Sequence, residues 1–329
     1  MSSDSPCRHY VAINEDQSLS IEQDPVPTPR PDEILIKVAA AGLNRADLLQ
    51  RAGLYPPPAD ASPVMGLEVA GTVLALGEDV EGWEIGDPIC ALTHGGGYAD
   101  HAVAPAGQSL PIPGGYSMEQ AAALPEALLT VWHNIFQRAA MQPGEKVLIH
   151  GGASGIGTLG IQMARAMGGE VYTTAGNDEK CQALEALGAA KACNYKTGDF
   201  EEELTGLGLK DQINVILDLA GGDFIQKNIN IAAPEGRIVY IAFLRGFKAE
   251  VNFAPLLMKR LTLSGSTLRA QSFRQKAVMT REIREHIFPH LENGSIQPVI
   301  DRVFELREVE QAQDYMQSGA HMGKIILRT

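Results

Sequence analysis

Residues 148–157 read LIHGGASGIG, an apolar run that breaks into Gly151, Gly152, Ala153, Ser154, Gly155, Ile156 and Gly157. A glycine-rich bend between a strand and a helix can bring a charged diphosphate onto main-chain amides. No Cβ stands in the way, and a helix N-terminus offers unpaired N–H groups with a partial positive charge. The spacing Gly152-x-x-Gly155-x-Gly157 departs from the strict G-x-G-x-x-G, and a tight turn with no ligand has the same composition. The surrounding elements therefore have to decide. Ser154 adds a hydroxyl to the turn.

A dinucleotide site is next read at the tip of the following strand. An NAD enzyme places Asp or Glu there, about 20 residues on, to hold the ribose 2′-hydroxyl. Here VYTT (171–174) runs into Ala175, Gly176 and Asn177, with no acid at the tip. Asp178 and Glu179 fall at a helix start, where carboxylates suit the helix dipole anyway. Lys180 stands within reach of a 2′-phosphate, although a solvated surface lysine would look the same. NADPH is the expected cofactor, held by Gly152, Ser154, Gly155, Ile156, Gly157, Asn177 and Lys180.

The elements around the turn support this. From Lys146 the chain alternates KVLIHG, TLGIQMARAMG, EVYTTAG, DEKCQALEALG and KACNY, then INVILDLAG and GRIVYIAF. Short apolar strands alternating with helices of this length predict a doubly wound parallel sheet of Rossmann type. Before it, EILIKVAAAGL (33–43) and EVAGTVLALG (68–77) read as strands divided by Gly and Pro turns. The fold class expected is α/β, a β-rich domain plus a Rossmann-type domain. The expected boundaries are 1–126, completed by 269–329, for the first and 127–268 for the second. A gap between two such lobes is the natural place for a ligand.

Local signals are specific enough to be checked. NRADLLQRAG predicts a helix capped by Asn44, with Leu48 and Leu49 toward the core and Gly53 as its stop. Ser117 and Gln120 have capping-box spacing, and Pro125 separates two helices. THGGGYADH (93–101) reads as a hairpin turn or a mobile flap.

Composition narrows the class. The chain has 329 residues, 45% hydrophobic and 20% charged, as in ordinary globular proteins. Forty acidic against 27 basic residues give a net charge of -13, which argues against nucleic acid as a partner. No run of about 18 apolar residues predicts a membrane span. The first ten residues lack the apolar stretch of a secretory signal. Cys7, Cys90, Cys181 and Cys193 are scattered, which suits a reducing cytoplasm and neither a disulfide framework nor a zinc cluster.

With the glycine turn, NRADLLQRAGLYPPP, GLEVAGTV and the closing GKIILRT together, the chain resembles the zinc-free quinone oxidoreductases of the medium-chain dehydrogenase/reductase superfamily, the zeta-crystallin-like branch. The likeness covers essentially the whole length. It implies a GroES-like lobe, a Rossmann-type lobe, a homodimer built by extending Rossmann sheets (GRIVYIAF is one edge that could serve), and NADPH as hydride source. Zinc alcohol dehydrogenases of the superfamily carry Cys at the position of Asn44 and Gly-His-Glu at Gly66-Leu67-Glu68, so no metal is expected. Hydride delivery to a quinone or a conjugated enone or alkenal is then easier than alcohol oxidation. A non-catalytic NADPH-binding scaffold is the alternative from another class.

The resemblance also places residues. Asn44, Asp47 and Tyr55 face the nicotinamide from the β lobe, with Asp47 positioning the loop and Tyr55 either bonding substrate or packing on its prolines. Thr130 approaches the nicotinamide ribose or carboxamide. Tyr195 lies near the adenine half, and Phe243 with Ser266, Thr267 and Leu268 lines the nicotinamide side. Gly323-Lys324 is a family-like pair without an assigned role.

Overall fold

The structure, a computed structural model, describes residues 6–329. It divides into two units: one runs to Leu129 and adds Arg269–Glu292 and Pro298–Thr329, the other holds Thr130–Leu268 with Asn293–Gln297.

In the first unit β1 (Cys7–Ile13) and β2 (Leu19–Pro25) pair with each other. β3 (Glu33–Gly42) leads into α1 (Arg45–Arg51), and β4 (Glu68–Leu76), β5 (Pro88–Leu92), β6 (His101–Pro105) and β7 (Ser109–Pro111) follow. Next come α2 (Met118–Ala122) and α3 (Pro125–Val131), the latter running on into a π-helical turn, Trp132–Arg138. Ser117 caps α2, its Oγ accepting from the Gln120 amide at 3.2 Å, and Pro125 opens α3.

The second unit alternates strictly: β8 (Lys146–Ile149), α4 (Gly155–Ala166), β9 (Glu170–Ala175), α5 (Asp178–Ala186), β10 (Lys191–Asn194), α6 (Phe200–Gly206), β11 (Ile213–Asp218), α7 (Phe224–Ile231), β12 (Ala232–Tyr240), α8 (Ala254–Lys259) and β13 (Thr262–Gly265). Its strands are all parallel, in the order β10-β9-β8-β11-β12-β13. The order reverses at β8, which makes its C-terminal end the switch point of the sheet. α9 (Phe273–His286), α10 (Phe288–Glu292), β14 (Ile300–Glu305), α11 (Val309–Ser318) and β15 (Lys324–Arg328) complete the chain. β14 and β15 rejoin the first unit, whose larger sheet runs β14-β15-β3-β4-β5-β7, with β6 on β3.

Alternation along the strands builds both cores. In the first unit Ile34, Ile36, Val38, Val69, Val73 and Ile89 pack with Ile325 and Leu327 from the C-terminal strand. In the second, Leu148, Ile216 and Ile238 meet Phe200, Phe224 and Ile229 from the helices. Burying one such side chain contributes about 1.5–3 kcal/mol, so each core is held by many modest terms.

Three local expectations are corrected. Leu48 packs against the core as expected, but Leu49 is 37% exposed, and α1 buries Asp47 and Gln50 beside Leu48, so its inward face is largely polar. Residues 93–101 are not a hairpin, because β5 pairs with β4 and β7 while β6 pairs with β3. GRIVYIAF is no edge: β12 lies between β11 and β13, leaving β10 and β13 as the free edges.

Candidate functional site

The nucleotide-side candidates converge on one edge. Gly152 to Gly157 follow β8, Asn177 follows β9, Tyr195 follows β10, Phe243 follows β12, and Ser266 to Leu268 follow β13. In a parallel sheet these are all C-terminal strand ends, where open α/β sheets bind ligands. Ser154 is the N-cap of α4, its Oγ accepting from the Gly157 amide at 2.9 Å. Among the described residues the Gly155 and Ile156 amides, at the start of this 12-residue helix, have no acceptor. That pair of amides fits a diphosphate.

The glycines themselves do something other than expected. A Cβ on Gly152 would strike Thr173 and Leu184, and one on Gly157 would lie 2.5 Å from the Gly151 carbonyl oxygen and 2.6 Å from the Gly152 Cα. Their lack of a side chain seats the turn against β9 and against itself. His150, fully buried, braces the strand end: its Nε2 lies 2.7 Å from Asn228 Oδ1, and Asn228 Nδ2 donates to Asp218 Oδ2 at 2.9 Å. Burial pushes this imidazole's pKa down, which keeps it neutral with Nε2 as the donor.

At the next strand tip Asn177 caps α5, its Oδ1 accepting from the Lys180 amide at 2.8 Å. The Asp178 carboxylate is turned to Asn194, which donates at 2.6 Å. Tyr195 packs on Phe224, and the Arg245 guanidinium, ion-paired with Asp223, lies over both rings. Phe243 is 43% exposed and stacked on Tyr240, and Ser266 Oγ donates to Asn134 Oδ1 at 2.6 Å. Thr130 is buried in α3, its carbonyl accepting from Asn134 Nδ2 at 2.8 Å.

The first unit holds a buried polar cluster around Glu68, which is 0% exposed. One carboxylate oxygen accepts from Asn44 Nδ2 at 2.8 Å and from the Lys324 ammonium at 2.5 Å, and the other accepts from the Glu126 amide at 2.8 Å. Lys324 also donates to Asn44 Oδ1 at 2.5 Å. Asp47 sits alongside, accepting from Tyr98 Oη at 2.7 Å, the Asn44 amide at 2.8 Å and the Gly66 amide at 3.3 Å. Burial drives the Asp47 carboxyl up to about 6 against the pull of these donors. Glu126 keeps some exposure as a residue, but its carboxyl is enclosed; burial first, then the Glu68 carboxylate, drives it up to about 7.

Tyr55 lies against the Arg269 guanidinium, at 5.7 Å. Sequence reasoning passed over Tyr98, Glu126 and Lys276, placed Arg269 only at the end of the segment lining the nicotinamide side, and left Lys324 without a role. The polar, buried positions Asp47 and Gln50 on one face of α1 were the available signal.

A parallel six-stranded sheet with open amides at its switch point, in one chain with a GroES-like β unit, defines a dinucleotide-binding oxidoreductase. Comparison with known proteins agrees. Residues 30–114 match the alcohol dehydrogenase GroES-like domain, and residues 155–281 match the zinc-binding dehydrogenase domain. The chain is 33% identical to quinone oxidoreductase-like protein 2 of Bos taurus, over 91% of this chain and 87% of that one. It is 32% identical to a phenolphthiocerol/phthiocerol polyketide synthase of Mycobacterium tuberculosis over 91% of its length, yet spans only 14% of that protein. Among solved structures, the quinone oxidoreductase of Thermus thermophilus, whose complex with NADPH is known, superposes with a TM-score of 0.82 at 30% identity, covering 98% of this chain and 100% of that one. The CurK enoyl reductase superposes at 0.84 with 26% identity, covering 98% and 99%. The chain belongs to the medium-chain dehydrogenase/reductase family, with quinone oxidoreductases and enoyl reductases as homologues.

One family model is named for zinc, and the residues here do not fit that metal. Where a thiolate and an imidazole would be needed stand Asn44 and Leu67, and the Lys324 ammonium already supplies the positive charge against Glu68 and Asn44 Oδ1. Among the described residues no group of three or more His, Cys, Asp or Glu comes together as a metal site.

Proposed function

We propose that the protein is an NADPH-dependent quinone oxidoreductase that works without zinc. The observation that carries this reading is the Asn44–Glu68–Lys324 cluster. An ammonium salt-bridged to a saturated carboxylate cannot act as the Lewis acid that alkoxide oxidation requires. A quinone or conjugated carbonyl spreads the charge it receives over its own π-system, and hydrogen bonds suffice to stabilise it.

NADPH, when bound, supplies the hydride. The Gly155 and Ile156 amides receive its diphosphate, with Gly152, Ser154 and Gly157 shaping the turn. Asn177 and Lys180 take the phosphorylated ribose, since the first acid after this strand, Asp178, is engaged by Asn194. Tyr195, Phe243, Ser266, Thr267 and Leu268 flank the rest. Asn44, Asp47 and Tyr55 of the first unit are assigned to the substrate, and Thr130 of the second to the nicotinamide ribose or carboxamide. Asp47 positions rather than exchanges protons, because three donors already hold its carboxylate.

A second reading, reduction of an enone or enoyl substrate by the same residues, is supported by the likeness to the CurK enoyl reductase. NADPH oxidation followed with a naphthoquinone and with an enone, and NADH run in parallel, decides both points. A higher kcat/KM for the quinone with NADPH is expected. Equal use of NADH, or turnover of the enone alone, removes the respective part of the reading.

We also infer a homodimer and a cytoplasmic setting. β13 is a free sheet edge, and just before it in the chain Phe253, Leu257 and Met258 are strongly exposed apolar side chains. The described residues contain four cysteines without a disulfide. No helix among them is long and apolar enough to cross a membrane. A light-scattering mass of one chain would count against the dimer.

A further inference from the structure

Among the described residues of the first unit, Arg269 is a buried arginine whose guanidinium is only partly bonded. It is 7% exposed, and its Nη1 donates to Gln50 Oε1 at 2.9 Å. Gln50 is held in turn, donating from Nε2 to the Pro63 carbonyl at 3.0 Å. The remaining edge of the guanidinium, Nε and Nη2, is buried and has no hydrogen-bond partner among the described residues. Lys276, 1% exposed, stands close behind and donates to the Arg269 carbonyl at 3.1 Å, which fixes the backbone carrying the guanidinium.

A buried guanidinium is ordinarily matched by a carboxylate, since an unmatched one loses its hydration for nothing. The carboxyls facing this one, Asp47 and Glu126, are both pushed toward their neutral forms by burial. Neither carboxyl hydrogen-bonds the guanidinium, whose one bond among the described residues goes to Gln50. The unpartnered pair is also particular. Nε–H and Nη2–H point the same way, as a two-pronged fork whose spacing matches the two oxygens of a carboxylate. The Tyr55 ring lies against the guanidinium from the irregular stretch between α1 and β4.

We propose that the Arg269 fork, backed by Lys276 and flanked by Tyr55, is a carboxylate-recognition site, and that the acceptor this enzyme prefers carries an acidic group. The inference rests on the acceptor chemistry proposed above. Arg269 is then a specificity-determining residue that grips the substrate away from its reacting atoms.

A carboxynaphthoquinone and its methyl ester are matched probes. In the unmodified protein the acid is expected to exceed the ester in kcat/KM by about tenfold or more. Arg269→Met should bring that ratio to about one while kcat/KM for the ester and the Kd for NADPH stay within about threefold. Arg269→Lys, which keeps the charge without the fork, should recover only part of the preference. Calorimetric titration of the acid without coenzyme reads the same site independently of turnover. Acid binding that is lost in Arg269→Met, with no turnover of any quinone, would sink the proposed function and leave the site standing. A ratio near one in the unmodified protein, or a preference that survives both substitutions, overturns the site.

Discussion

Two strand-to-helix turns hold the candidate site residues of this chain, and they are built in opposite ways. β8 enters α4 through glycines that press backbone on backbone and leave two amides open. β3 enters α1 through Leu43 and Asn44, and the helix then buries Asp47 and Gln50 among Glu68, Tyr98, Lys324 and Arg269. The first turn offers main-chain groups, so its neighbours in sequence suffice to build it. The second offers side chains, and each of those needs a partner contributed by another part of the fold. A glycine turn can therefore be read wherever its flanking strand and helix are read. A buried ionic cluster cannot.

The sharpest way to break this contrast is Lys324→Met. Glu68 would be left as an unpaired buried charge, and a loss of about 3–5 kcal/mol is expected in urea unfolding. A loss under about 1 kcal/mol, the scale of an exposed pair, would mean the cluster is dispensable.

The pH dependence of stability tests the same region. The Glu126 pKa, raised from its usual 4.5 to about 7, belongs to a group that favours the folded state while protonated. That stability is complete below about 4.5 and is lost as pH rises through about 7. Between about pH 5 and pH 8 the unmodified protein should lose about 2 to 3 kcal/mol relative to Glu126→Gln, in paired melts. Parallel curves for the two proteins would show that Glu126 does not titrate in this range.

Gly157→Ala addresses the other turn. The added Cβ must displace backbone atoms, so a cost of about 1–3 kcal/mol and weaker NADPH binding should appear together. Unchanged coenzyme affinity would remove the turn from the binding site. The smallest effect is expected for Lys180→Ala: about a tenfold weaker Kd for NADPH, or ~1.4 kcal/mol, with NADH unaffected. Equal losses for both coenzymes would assign Lys180 to the helix rather than to a 2′-phosphate.

How much of this was legible follows from distance along the chain. The strand–helix alternation from Lys146 onward predicted the parallel sheet, and Ser117, Asn177 and Pro125 announced their helix starts within a few residues. α1 misled on one point: Leu48 does pack on the core, but Leu49 beside it only looks like part of a core face until the polar residues of the helix find partners. Residues 93–101 misled similarly: a glycine-rich turn looks alike whether its flanking strands pair with each other or with different neighbours. Lys324 had no readable role, since its partner Asn44 lies 280 positions away.

Period, capping and turn chemistry act over a handful of residues, so residue order alone was enough to establish the alternating unit, its glycine bend and the missing acid after β9. The pairing of Lys324 with Glu68 and Asn44, the Arg269–Gln50 bond across 219 positions and the orphaned guanidinium edge came only with the folded chain. A charge shows what it is for only once burial has stripped its water and left one neighbour to replace it.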